Sequence, residues 1–125
     1  MKAVLDAGAF VAIEKRDRHV GAMLRVLQQR RVPLATSTAV IAQVWRDGRK
    51  QVFLARLLSG VDARALTAGD DRRTGELLAL AKTDDVVDAH LALVVADGDR
   101  LLTSDPHDIE RLLKARRVAA TVIVT

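Results

Sequence analysis

Short, fully apolar runs alternate with segments whose apolar positions recur at helical spacing, and this alternation narrows the available folds more than any other feature of the chain. Strands of that kind need cover on both faces, which the intervening helices supply. The pattern therefore predicts an α/β domain around a mostly parallel sheet. With 125 residues and no internal repeat, low-complexity stretch or linker, residues 1–125 are expected to form one domain. Folding at this length buries roughly two thirds of the unfolded chain's surface, enough for a core without staples.

The run Lys2 to Asp6 reads as a strand ending in an acid, and Ala7-Gly8-Ala9 opens a helical pattern through Phe10, Val11 and Ile13. Asp17 suits the cap of a second helix, with Val20, Met23, Leu24 and Leu27 on its apolar face; Arg30-Arg31 and Pro33 end it. Pro33 to Ala35 reads as a strand. Thr36-Ser37-Thr38 then caps a helix carrying Val40, Ile41, Val44 and Trp45, stopped by Asp47-Gly48. Val52 to Leu58 gives another helix, and Val61 to Leu66 a weak strand. A long helix follows Gly69-Asp70-Asp71, and Thr83-Asp84-Asp85 caps the next, Val86 to Ala96. Arg100 to Thr103 reads as a strand, Pro106 to Ala115 as a helix, and Val118 to Val124 as the last strand.

Composition excludes several chemistries. Cysteine is absent, so disulfide scaffolds, thiol nucleophiles, zinc-cysteine sites and iron-sulfur clusters are ruled out, and a reducing, cytoplasmic location is expected. No stretch resembles a signal sequence or a membrane span. G-x-S-x-G, Walker A and G-x-G-x-x-G motifs are all missing. The net charge of +4 is uneven: residues 1–60 hold 11 basic and 4 acidic side chains, residues 61–125 hold 9 and 12. A basic surface beside a carboxylate-rich region suits a phosphate-containing partner bound next to a metal, and it also suits an ordinary solvated surface. The only aromatics are Phe10, Trp45 and Phe53, too few for repeated base stacking, so nucleic acid would be held mainly by its backbone.

Open α/β sheets bind ligands beyond the carboxyl ends of their strands. Asp6 ends the first strand in VLDAGAF, Asp105 follows the Arg100 to Thr103 strand in LLTSDPHDI, and Asp88 stands near a helix start in DVVDAHLALVV. If the two strands are central neighbours, the three acids converge. Each also has a structural explanation: Asp6 can bond the turn amides, Asp105 can cap the helix at Pro106, and Asp88 can answer the helix dipole. Asp85 is better read as a cap. Together the acids form an oxygen-only set that suits Mg²⁺ or Mn²⁺. His90 and His107 make no i, i+4 metal pair and are expected to be structural or surface residues.

VLDAGAF, TAVIAQVWRDG, DVVDAHLALVV and LLTSD, in this order over nearly the whole chain, resemble the PIN domain, most closely its short bacterial VapC type. The resemblance implies a three-layer α/β/α sandwich and Mg²⁺- or Mn²⁺-dependent hydrolysis of RNA, with Asp6, Asp88 and Asp105 as catalytic metal ligands. It implies that Thr103 steadies Asp6. The family's second acid falls on Gln43, which can offer a carbonyl oxygen or position a water but adds no charge. Arg46, Arg49, Lys50 and Arg56 are candidates to hold RNA phosphates, or else form a solvated helical face. The resemblance further implies the toxin half of a toxin-antitoxin pair, a small antitoxin partner inserting into the acidic cleft, and a homodimer. The Gln43 substitution keeps open a non-catalytic PIN-like module that binds RNA or protein. A receiver-type phosphoacceptor is disfavoured, because no Lys follows the last strand.

Overall fold

The computed structural model describes residues 1–125. In chain order the elements are β1 (Ala3–Leu5), α1 (Ala7–Glu14), α2 (Arg18–Gln29), β2 (Leu34–Ser37), α3 (Thr38–Val44), α4 (Val52–Leu58), β3 (Val61–Arg64), α5 (Asp71–Ala81), α6 (Val86–Val94), β4 (Arg100–Thr103), α7 (Pro106–Arg116) and β5 (Thr121–Val124). All neighbouring strands are parallel, in the order β3-β2-β1-β4-β5.

From β1 the chain winds outward through β2 and β3, then crosses back to β4 and β5. Right-handed crossovers place α1 to α4 on one face and α5 to α7 on the other. The packing agrees, since α1 touches α2, α3 and α4, while α5, α6 and α7 pack on one another. The core is apolar through both layers: Ala3, Val4 and Leu5 of the central strand are fully buried, as are Phe10 on α1 and Leu91 on α6. Winding reverses between β1 and β4, whose carboxyl ends therefore flank the crevice where such sheets bind ligands.

At the opposite end of the same two strands lies Asp99, a buried acid. It accepts from Lys2 Nζ at 2.6 Å, Lys2 N at 2.9 Å and Ala96 N at 2.8 Å. Burial pushes its carboxyl up, and these donors outweigh burial and hold it below the usual range.

Several element limits differ from the sequence reading, each for a local reason. β1 stops at Leu5 because the Asp6 side chain turns back to accept from Ala7 N at 2.7 Å and caps α1. β2 extends past Ala35 to Ser37, since Thr36 and Ser37 pair with Ala63 and Arg64 while Ser37 Oγ also accepts from Ala39 N to cap α3. α3 ends early, at Val44. Buried Gln51 takes over the freed backbone groups, accepting from Arg46 N and Asp47 N and donating to Val44 O. β3 ends at Arg64 and α6 at Val94. β5 begins only at Thr121, because Arg117 turns left-handed at φ 57° and Val118 N–H folds back to Leu113 O to close α7. No helix is long and apolar enough to cross a membrane.

Candidate acidic site at the carboxyl edge of the sheet

Asp6, at the end of the central strand, is buried and held from two sides. Its Oδ1 accepts from Ala7 N and its Oδ2 from Thr103 Oγ1, each at 2.7 Å. Thr103 ends the neighbouring strand β4 and is itself fully buried, and its Oγ1 also accepts from Asp105 N at 3.1 Å. One hydroxyl thus orients both the first acid and the backbone of the third. Asp105 starts α7, yet its exposed side chain makes no capping hydrogen bond and remains free for other partners.

The close approach of α1 to the β4–α7 turn depends on a glycine. A Cβ at Gly8, in the first turn of α1, would lie 2.6 Å from Ser104 Cβ and 3.0 Å from Ser104 N. Any larger residue would wedge α1 away from the β4–α7 turn.

Asp88 enters from the other helical layer, half-buried in the first turn of α6. Asp85 Oδ1 accepts from Asp88 N at 3.0 Å, so Asp85 caps the helix as the sequence indicates. Burial, followed by the charges of Asp85, Asp6, Asp108 and Asp105, pushes the Asp88 carboxyl up to about 7. The structure therefore places Asp6 and Asp105 within electrostatic reach of Asp88. Asp108 joins them and was missed in the sequence. It lies three residues after Asp105, a spacing that places two side chains on one helix face and offered the signal to find it.

All the facing donors are oxygens, and like charges crowd without a compensating cation; this donor set suits a hard divalent ion such as Mg²⁺ or Mn²⁺. No three His, Asp or Glu side chains are gathered tightly enough to enclose a metal as they stand.

Gln43 is exposed on α3 and lines a cavity of about 500 Å³ together with Val11, Glu14, Lys15, Arg46, Lys50 and Gln51. Gln51 Nε2 donates to Glu14 Oε1 at 2.9 Å and so ties the end of α1 to the α3–α4 turn. Of the basic candidates, Arg46 and Lys50 line this cavity and Arg49 and Arg56 do not. The Arg46 guanidinium folds back on the carbonyls of Ala42 and Trp45. Lys50 lines the cavity, Arg49 projects into solvent beside Asp47, and Arg56 is exposed in the last turn of α4.

His90 is buried, with Nδ1 2.6 Å from Ser37 Oγ, joining α6 to the end of β2. Burial holds its pKa below the usual value. His107 is exposed at the start of α7.

No family model matches the sequence, and no curated protein matches it significantly. Solved structures do match in fold. One is the crystal structure of VapBC2 from Rickettsia felis bound to a DNA fragment from their promoter, at TM-score 0.69 and 18% identity over 98% of this chain and 99% of that one. Another is FitAB bound to an IR36 DNA fragment, at TM-score 0.63 and 14% identity over 96% and 94%. At this identity the likeness is one of fold: the chain shares with them an α/β/α sandwich around an all-parallel sheet.

Proposed function

We propose that the chain is a Mg²⁺- or Mn²⁺-dependent endoribonuclease, the toxin of a toxin-antitoxin pair. The observation that carries this reading is the crowding of Asp6, Asp105 and Asp108 around Asp88, which raises one carboxyl to about 7 at the winding reversal of a PIN-like sheet. Asp6, Asp88 and Asp105 would hold the ion, with Asp108 beside them. A divalent ion bound there supplies polarisation of the scissile phosphate and a more acidic attacking water.

The chain's own contribution is positional. Thr103 fixes one Asp6 oxygen, the Ala7 amide fixes the other, and Gly8 lets α1 pack closely on the β4–α7 turn that carries Asp105. Arg46, Arg49, Lys50 and Arg56 border α3 and α4 and would meet flanking RNA phosphates. The VapC-like motifs and the shared fold with chains of VapBC2 and FitAB support a small antitoxin partner, while a homodimer rests on the resemblance of the motifs alone.

A second reading, a PIN-like module that binds RNA or protein without cleaving it, is favoured by one observation: Gln43 stands where the family has an acid. Incubation of the purified protein with single-stranded RNA, in Mn²⁺ and in EDTA, separates the two. The enzyme reading expects cleavage in Mn²⁺ leaving 5′-phosphate ends, none in EDTA, and none from Asp105→Asn. RNA that is bound and stays intact under all three conditions favours the module.

A further inference from the structure

The two edges of the sheet are finished differently. On β3, Asp62 and Arg64 pair at 3.0 Å on exposed surface, and such charges discourage a further strand from adding. β5 and the residue after it read Thr121-Val122-Ile123-Val124-Thr125, without a charge. Thr121 N–H donates to Asp99 O and Thr125 N–H to Thr103 O, both at 2.9 Å, so odd-numbered residues bond inward to β4. Strand alternation turns the N–H and C=O groups of Val122 and Val124 toward the open edge.

A groove flanks this edge on each face. Between α7 and β5 lies one of about 570 Å³, with Leu113, Val118 and Val122 along it and Lys114, Arg117 and Glu110 at its rim. Between α2 and β4–β5 lies another of about 340 Å³, with Met23, Val26, Leu102 and Ile123 along it and His19 and Arg100 at its rim. Val122 and Ile123 are consecutive, so they address opposite faces, as the two grooves require.

We infer that β5 is a docking edge for an extended, acidic segment of a partner protein, which adds as a sixth strand. Main-chain bonds to Val122 and Val124 supply pairing, and two adjacent apolar side chains of the partner enter the two grooves. The charge of the rims selects the occupant. Lys114, Arg117 and Arg100, with His19, outnumber Glu110 along the grooves and Asp97, which Ala119 N–H engages beside one of them, so carboxylates flanking the apolar pair are complementary. A second copy of β5 brings no acid and sets the same cations against one another. The edge adjoins the acidic site at Thr103, whose carbonyl accepts from Thr125 N–H, but its grooves are lined by none of the acids around Asp88, and the inference does not depend on nuclease activity.

The probe is the peptide acetyl-Glu-Asp-Ile-Leu-Asp-Glu-amide, titrated into the intact protein while amide hydrogen exchange is followed by NMR. Exchange at Val122 and Val124 slows by about tenfold or more, and the counterpart with Lys at the four acidic positions binds at least about tenfold more weakly. Val122→Pro removes an outward N–H without touching the ladder to β4 and abolishes binding. Lys114→Glu with Arg117→Glu, both at exposed positions, reverses the preference between the two peptides and serves if the proline variant does not fold. Absence of acidic-peptide binding, equal binding of both peptides, or unprotected Val122 and Val124 amides overturns the proposal. So does protection of those amides that rises with protein concentration alone, which identifies a second copy as the occupant.

Discussion

Thr103 Oγ1 donates to Asp6 Oδ2 at 2.7 Å across 97 residues of sequence, joining the carboxyl ends of the two strands between which the sheet reverses its winding. Both groups are buried, so the bond orients a carboxylate that has few other ways to satisfy its oxygens. The same hydroxyl accepts from Asp105 N and couples the first acid to the turn that presents the third.

Thr103→Val keeps the shape of the side chain and removes the donor. A hydrogen bond to a charged group contributes about 1.5–3 kcal/mol, and the variant should lose stability in that range. Loss of an orienting partner behind a ligand should also weaken Mn²⁺ binding by about 10- to 100-fold. Chemical denaturation and calorimetry measure the two effects separately.

The crowding around Asp88 makes a prediction about pH. Its carboxyl titrates near 7 in the folded protein and near 3.8 as an ordinary carboxyl, so between those values the folded state holds the extra proton. Stability contributed by that proton falls as pH rises through the window and is gone above it. Because the group is only half-buried, solvent screening reduces the effect to about 1–2 kcal/mol. Asp88→Asn should therefore melt higher than wild type at neutral pH in EDTA, with the two curves converging toward the acidic end. A difference independent of pH would mean that the acids do not repel as described.

Gln43→Glu tests the position at which the resemblance to PIN domains implies an acid. The side chain is exposed and shares its cavity with Lys15 and Lys50, so metal-free stability should change by less than about 0.5 kcal/mol. With Mn²⁺ present, the added carboxylate should speed RNA cleavage. An unchanged rate would assign Gln43 to its cavity and not to the chemistry.

Much of the fold was legible because the apolar pattern is unambiguous: a fully apolar strand such as Val4-Leu5 and a helix with the periodicity of Val20 to Leu27 admit few alternatives. Element ends were less legible because they depend on distant partners. The early end of α3 follows from Gln51 bonding to the backbone on both sides of Trp45, and nothing within residues 38–48 announces it. At the site, acids at strand ends could be read locally, and Asp6 and Asp105 both lie close enough to raise the Asp88 carboxyl. Asp108 was hidden by its resemblance to a routine first-turn acid, and Asp99 by sequence distance from Lys2, its partner across the strand pair. The role of Gly8 appears only once Ser104 is seen against it.

In the proposed divalent-cation site around Asp88, Asp6 is the fixed member, held by Ala7 N–H and Thr103 Oγ1. Calorimetric titration of Mn²⁺ into wild type and Asp6→Asn, both first shown to be folded, tests it most directly. Removing one like charge relieves repulsion and leaves the fold intact, while the ion loses a ligand. Wild type should give a saturable Mn²⁺ signal that disappears in Asp6→Asn; the same Mn²⁺ affinity in both proteins would show that the acids do not hold the ion through Asp6.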